Sequence, residues 1–560
     1  MVSDPSPKAR NLQPAGVAMT PRPGYLCLIL HAHLPFVRHP EYPDFLEENW
    51  LYEGITDTYL PLLDVLSGLE ADGVRFRLTM TLTPSLLAMF DDHLLRSRYV
   101  RYATQRITLA QAEERRLRDD PTFGPLASFY RERFERAHDA FVHRYRQDLT
   151  AAFAGFQERG GLEIITCGAT HGFLPLLSLV PSAVRTQLRV AVDSYARAFG
   201  RRPRGIWLPE CGYAPGLDRY LRDEDIRFFV MEHHGLLYAR PRPRFGIHAP
   251  VYCPSGVAAF GRDLESSKQV WSAKEGYPGH PDYREYYRDV GFDLDLDALR
   301  PFLLGDGTRV NTGFKYYRIT GQTDHKEAYN PARARERAAE HAGNFLFNRG
   351  HQIDHLAGGM DRPPLIVAPY DAELFGHWWF EGPQWIDVLL RKLHFDQSQI
   401  EAITPSGYLE RHPTNQVVEP SASSWGHNGF YEVWLNGAND WIYRHLHHAS
   451  RRMETLAARA PSLSGLERRA ATQAVRELLL AQASDWAFIM KTGTMVPYAI
   501  KRTTDHLLRF QRLYEQILDR RVDDGALKEI EERDTCFSGL DLDRTFRPPS
   551  PEFDSLNRSE

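Results

Sequence analysis

The chain has 560 residues, of which 42% are hydrophobic and 25% charged, the balance of a soluble globular protein. That length can bury several cores, so neither disulfides nor structural metals are needed to hold it together. A net charge of −5, from 68 basic and 73 acidic residues, argues against a nucleic-acid binder or a membrane-surface protein.

Residues 1–23 carry five prolines and no apolar run, which predicts a disordered tail rather than a signal peptide. From Tyr25 onward, short apolar runs recur, and each ends in chemically capable side chains. Tyr25–Leu30 runs into His31 and His33, and Val74–Met80 ends at Thr81 and Thr83. Leu162–Thr166 leads to Thr170 and His171, and Gly205–Trp207 to Glu210. Arg227–Met231 leads to Glu232, His233 and His234, and Pro364–Ala368 to Tyr370 and Asp371. Runs this short read as buried strands. Helical patterns lie between them, such as Phe134, Ala137, Phe141, Tyr145, Leu149 and Phe153 at three- to four-residue spacing. Strands separated by helices imply an α/β fold with parallel pairing, whose active site gathers at the carboxyl ends of the strands. Six such ends supplying His, Thr, Glu or Asp point to one convergent site.

Segment His233–Gly256 holds four prolines and three glycines, which predicts an irregular lid beside that site. Residues 403–428 are loop-like, and Leu466–Met490 and Thr503–Leu518 repeat as helices. The expected organisation is therefore a tail at 1–23, an α/β catalytic part at 24–404, a helical domain at 405–535 and a loose tail at 536–560. Cys27, Cys167, Cys211, Cys253 and Cys536 are odd in number and widely spaced, which suits a reducing cytoplasm.

Glu210 and Asp371 each follow an apolar run with aromatic neighbours. Two carboxylates facing one sugar bond are glycosidase machinery: one protonates the leaving oxygen, the other is nucleophile or base. Either could instead cap a helix, and Glu373 competes with Asp371. His31 and His33 point to the same side of an extended chain. With His171 and His233 or His234 they could hold a metal or bind sugar hydroxyls; no His-Glu-x-x-His supports the metal. Six of the ten tryptophans lie between 378 and 441. Trp425, in a small polar loop, suits stacking on a sugar, whereas Trp378 and Trp379 read as packing.

At Trp207–Tyr213 and Tyr370–Gly382 the chain resembles glycoside hydrolase family 57, most closely its 1,4-α-glucan branching enzymes. The resemblance runs from Gly24 to Leu518. It is carried by His31–Pro35, Cys167–His171, Gly205–Glu210, Tyr370–Glu373 and Asp485–Trp486, with Gly261–Asp263, Val270–Ser272 and Gly276–Gly279 matching a branching-enzyme loop region. It implies an incomplete (β/α)7 barrel with a C-terminal helical domain. It also implies a retaining transglycosylase that cleaves α-1,4 bonds and passes the chain to a 6-hydroxyl. Glu210 would be the nucleophile and Asp371 the acid/base, with carboxyl groups roughly 5–5.5 Å apart. His31, His33, His171, Trp207, Arg262, Gly279, Trp425, Trp434, Asp485 and Thr494 would contact glucan. Tyr252, or else Tyr238, would be the tyrosine with which the lid holds off water. The implied partner is an α-glucan, with no cofactor or metal, nucleic acid or membrane, and the enzyme would be a cytoplasmic monomer. The alternatives are an α-glucan hydrolase of the same family, a metal-dependent polysaccharide deacetylase and a non-catalytic glucan-binding protein.

Overall fold

The computed structural model describes residues 24–272, 275–303 and 307–547, so the proline-rich residues 1–23 and residues 548–560 lie outside the described residues. The six apolar runs form strands β1 (Gly24–Ala32), β2 (Leu78–Leu82), β3 (Leu162–Ile165), β4 (Gly205–Trp207), β5 (Phe228–Met231) and, later, β8 (Leu365–Asp371). Between the last two lie β6 (Val251–Tyr252) and β7 (Ala258–Gly261), and β9 (Ile400–Ala402) closes the series. Helices cover the outer faces, so strand residues are buried on both sides and read as unbroken apolar runs; all nine residues of β1 are buried.

One parallel sheet runs β3-β2-β1-β8, with β9 beside the start of β1; the second runs β4-β5-β7-β6, with β6 antiparallel. Thr166 joins them: its N–H donates to Gly205 O, and its carbonyl accepts from Trp207 N. The parallel strands therefore follow one another in the order β8-β1-β2-β3-β4-β5-β7. Between β7 and β8 one backbone bond, from Asp263 N to Val367 O at 2.8 Å, spans the remaining gap. This is an incomplete barrel. Tyr25, Cys27, Ile29, Ile165, Trp207, Phe228, Val230, Phe260, Leu365 and Val367 fill its interior as one apolar cluster. By strand alternation His31 is the next inward residue of β1, above that plug.

The structure departs from the sequence reading in several places. The run Val74–Met80 becomes a strand only from Leu78, which pairs with Leu162. The helix expected through Phe134–Phe153 breaks at Arg146 and Gln147, both at positive φ, and restarts where the Asp148 side chain caps Leu149–Glu158. The helix expected over Leu466–Met490 breaks between Gly465–Ala481 and Ser484–Thr492. There Ala483 bridges to Gly172 and Ser484 N donates to His171 O. Residues 536–547, expected to be loose, are packed: Cys536, Phe537, Leu542 and Phe546 are buried, and Phe546 N donates to Thr186 Oγ1 at 2.8 Å. The lid segment opens with a short helix, His233–Leu237, and ends in β6. No helix among the described residues is long and apolar enough to cross a membrane.

Candidate active site

The upper ends of β1, β3, β4 and β8 and the start of helix Ser484–Thr492 meet at a cavity of about 620 Å³. It is lined by His31, His33, His171, Glu210, Arg262, Asp371, Glu373, Trp425, Trp434 and Asp485, among others. His171, Glu210 and Cys211 have φ of 59°, 62° and 50°, the left-handed region that non-glycine residues rarely hold. Strained backbone gathered at one point is a mark of a functional site.

Glu210 sits on a turn after β4 and is gripped from two sides. Trp425 Nε1 donates to its Oε2 and Ser484 Oγ to its Oε1, both at 2.8 Å. Because Ser484 gives its proton to Glu210, its oxygen accepts from His171 Nδ1 at 2.8 Å. His171 Nε2 is then the acceptor for His31 Nε2–H at 3.0 Å. Burial holds both rings well below the ordinary histidine range, with the neighbouring His33 adding to it, so both are neutral. A directed chain of donors thus runs from His31 through His171 and Ser484 to one carboxylate oxygen. Burial raises the Glu210 carboxyl above its usual range, and the Trp425 and Ser484 bonds pull against that rise.

Asp371 is the last residue of β8 and is treated differently. No hydrogen bond from another described residue reaches its carboxyl group. Burial, then the charges of Glu373 and Glu210, push it well above the usual carboxylate range, so it favours the protonated form. Glu373 is tied down instead: Tyr59 Oη donates to it at 2.5 Å and His33 N at 3.2 Å. His33 lines the same cavity, and its Nε2 lies 3.1 Å from both oxygens of Asp485. Burial works against its charge, but Asp485, Glu210 and Glu373 outweigh that and raise it above the ordinary histidine range.

The remaining expected contacts divide. Arg262 borders the cavity, bonded to Glu232 Oε2 at 3.1 Å and lying 5.7 Å over the Trp425 ring. Trp434 borders it while stacking on Phe173 at 4.6 Å. Trp207 is wholly buried and is not part of this cavity's lining; it stacks under His31 at 4.7 Å and supports the floor. Gly279 lines an adjoining, larger cavity. Thr494 is exposed, 3.4 Å from the Thr492 hydroxyl, and borders neither cavity. Tyr252 borders neither as well, because its hydroxyl donates to Pro413 O at 3.1 Å and its backbone pairs with residues 416–418. Tyr238 is 63% exposed and also borders neither.

Sequence reasoning missed Ser484 and misjudged Trp378. Ser484 lay inside what read as one long helix, next to the Asp485–Trp486 motif that could have flagged it. Trp378, expected to pack, is 52% exposed at the junction of the two cavities, whereas Trp379 is buried. His33, His171 and Asp485 offer ligand atoms within 4.8 Å of one another. A cation there would have to displace the His33–Asp485 contact and take a His171 whose nitrogens are both engaged, which fits metal binding poorly.

Comparison with known proteins gives a consistent family. The sequence model of glycosyl hydrolase family 57 matches residues 27–421, and that of the 1,4-alpha-glucan branching enzyme C-terminal region matches residues 445–544. The chain is 32% identical over 550 residues to the 1,4-alpha-glucan branching enzyme of Thermococcus kodakarensis, spanning 92% of this chain and 77% of that one. Among solved structures, the alpha-amylase AmyC of Thermotoga maritima is 42% identical with a TM-score of 0.88, over 94% of this chain and all (100%) of that one. The family 57 branching enzyme of Pyrococcus horikoshii is 32% identical with a TM-score of 0.84, over 94% and 97%.

Proposed function

The chain belongs to glycosyl hydrolase family 57, and we propose that it is a 1,4-α-glucan branching enzyme working by a retaining mechanism. The observation that carries this reading is the opposed setting of two carboxyl groups on one cavity: Glu210 held by donors, Asp371 left bare and raised. Pairs of carboxyl groups whose surroundings divide their protonation mark the division of acid/base labour. Glu210 attacks the anomeric carbon of an α-1,4-linked glucose while Asp371 gives its proton to the departing glycosidic oxygen. A glycosyl ester on Glu210 results, with inversion. Asp371, now a carboxylate, takes the proton from an acceptor 6-hydroxyl, whose oxygen attacks the same carbon and releases Glu210. The second inversion gives net retention and an α-1,6 branch. His33, Asp485, Arg262 and Trp425 line this cavity, which supports a reading in which the first three bind hydroxyls of the donor sugar and Trp425 meets its apolar face.

The branching-enzyme C-terminal match supports transfer over hydrolysis, and the region it covers also supplies Ser484 and Asp485 to the site. Likeness to an alpha-amylase at 42% identity favours hydrolysis as the second reading, because both reactions share the glycosyl-enzyme. Neither lid tyrosine borders the cavities in this structure, so holding off water would require segment His233–Gly256 to close over the site; Tyr238→Ala should then raise hydrolysis relative to branching. Five buried, unpaired cysteines fit a cytoplasmic enzyme of glycogen-type glucan synthesis, which we take to act as a monomer. Amylose treated with the enzyme should lose iodine staining with no matching rise in reducing ends. A matching rise would make it a hydrolase.

A further inference from the structure

The larger cavity, of about 1080 Å³, meets the Glu210 cavity along a shared wall. Trp271, Asp371, Trp378 and Phe488 border both, whereas Glu210 borders only the smaller one. The wall of the larger cavity is aromatic and open: Trp378, Trp271 and Phe488 are 52%, 46% and 44% exposed. Flat apolar faces left in water at a cavity mouth are poor core material and call for a ligand.

Trp378 is braced for such a role. Its ring stacks on Tyr286 at 4.4 Å with 27° between the planes. Tyr286 is fixed from behind, its hydroxyl 3.2 Å from His377 Nε2 and its carbonyl accepting from Lys315 Nζ. The turn that presents Trp378 runs through Gly376, at φ 112°, where a Cβ would lie 1.8 Å from Asp57 O. Only glycine permits that close approach.

The rim charges nearly balance. Lys326 pairs with Glu285 at 3.0 Å and Arg288 with Asp293 at 2.6 Å, and the lining adds one further cation, Arg284, and one further anion, Asp324. Such a rim offers no large excess of either sign to a polyanion. Aromatic faces beside paired polar groups suit a neutral chain with apolar faces and hydroxyl edges, which is an α-glucan.

We infer that the larger cavity is the acceptor-glucan site, with Trp378 on Tyr286 as its stacking platform; this rests on the branching reading above. The covalent sugar must sit with Glu210, in the smaller cavity. Asp371 must reach the glycosidic oxygen as it departs and the acceptor hydroxyl as it arrives. Its position on the shared wall puts both oxygens on the far side from Glu210. The departing chain leaves through the larger cavity, and the acceptor enters by it.

The test compares Trp378→Ala and Trp378→Phe with the wild type. One assay counts α-1,6 branches formed on amylose. The other follows fluoride release from an α-maltotriosyl fluoride donor, whose leaving group needs no glucan in the larger cavity. Trp378→Ala should lose branching about tenfold more than it loses fluoride release, the effect of roughly one stacking contact, and Trp378→Phe should recover much of it. Equal losses in both assays, with melting temperature preserved, would overturn the acceptor assignment. Wild type that forms no branches would overturn the branching reading instead. The cavity is then read from the acceleration of fluoride release by added maltooligosaccharide: loss of that acceleration in Trp378→Ala supports the site, and its persistence overturns it.

Discussion

The surroundings of Glu210 and Asp371 differ as sharply as any two regions of the molecule. Glu210 is clamped by Trp425 and Ser484, one from the loop after β9 and one from the helical region, with His171 and His31 ordered behind Ser484. Asp371, on the wall shared by the two cavities, has no hydrogen bond to its carboxyl group from another described residue and shares that wall with exposed aromatic rings. The contrast follows from what each group would have to do. A nucleophile must keep one position and one charge, which directed donors provide. An acid/base exchanging protons with successive oxygens needs a free face, and a bound donor would compete for it. On the proposed mechanism, fixed hydrogen bonds would mark where the sugar is held, and bare surface where chains come and go.

The largest expected effect comes from removing either carboxylate. Glu210→Gln and Asp371→Asn should each cut turnover on amylose by roughly 10⁴-fold or more while leaving the melting temperature near wild type. Near-normal activity in Asp371→Asn would move the acid/base role to Glu373. Next comes the clamp. Ser484→Ala removes one hydrogen bond to a charged group, on the order of 1.5–3 kcal/mol, and should cost about 10- to 100-fold in kcat. Hydrogen bonding to the ionised form lowers a carboxyl's pKa, so losing it should raise that of Glu210 further. The acid limb of the kcat/KM profile should therefore move to higher pH, and Ser484→Thr should restore it. Asp485, His33, Asp371 and the neutral His171 also face Glu210, so each profile needs the wild type beside it. An unmoved limb would make Ser484 a packing residue only.

Smaller still is the effect of Glu373→Gln. After burial, the Glu373 charge is the largest cause holding Asp371 up, so its removal should move the alkaline limb, where Asp371 loses its proton, to lower pH. The two carboxyl groups are coupled, and the limbs belong to the pair. The smallest expected effect is none: EDTA should leave activity unchanged, and elemental analysis should find no stoichiometric zinc. Loss of activity on chelation, regained with zinc, would revive a metal-dependent reading of His33, His171 and Asp485.

Much of this contrast was legible in the sequence, and the rest was hidden for physical reasons. Strands buried on both faces print as apolar runs, so β1, β3, β4, β5 and β8 stood out with the side chains at their ends. β7 did not, because Ala258 and Ala259 give it too little apolar bulk to register. Ser484 was hidden because the break before it is imposed by the loop after β3, through Gly172 and His171, rather than by a local proline or glycine. Tyr252 and Trp378 were misplaced for one reason. Exposure of a single aromatic depends on which distant loop covers it, and residues 413–418 cover Tyr252 while Tyr286 covers one face of Trp378 and leaves the ring half exposed. The acceptor wall around Tyr286 has no helical or strand period to read.

The division of labour is tested most directly by trapping the covalent sugar. Asp371→Asn, incubated with α-maltotriosyl fluoride, can form the glycosyl ester without an acid but is slow to pass it on. Intact mass should rise by one glycosyl unit, and peptide mapping should place that unit on Glu210. An adduct on Glu373, or turnover with no adduct on any carboxylate, would contradict the assignment of Glu210 as nucleophile.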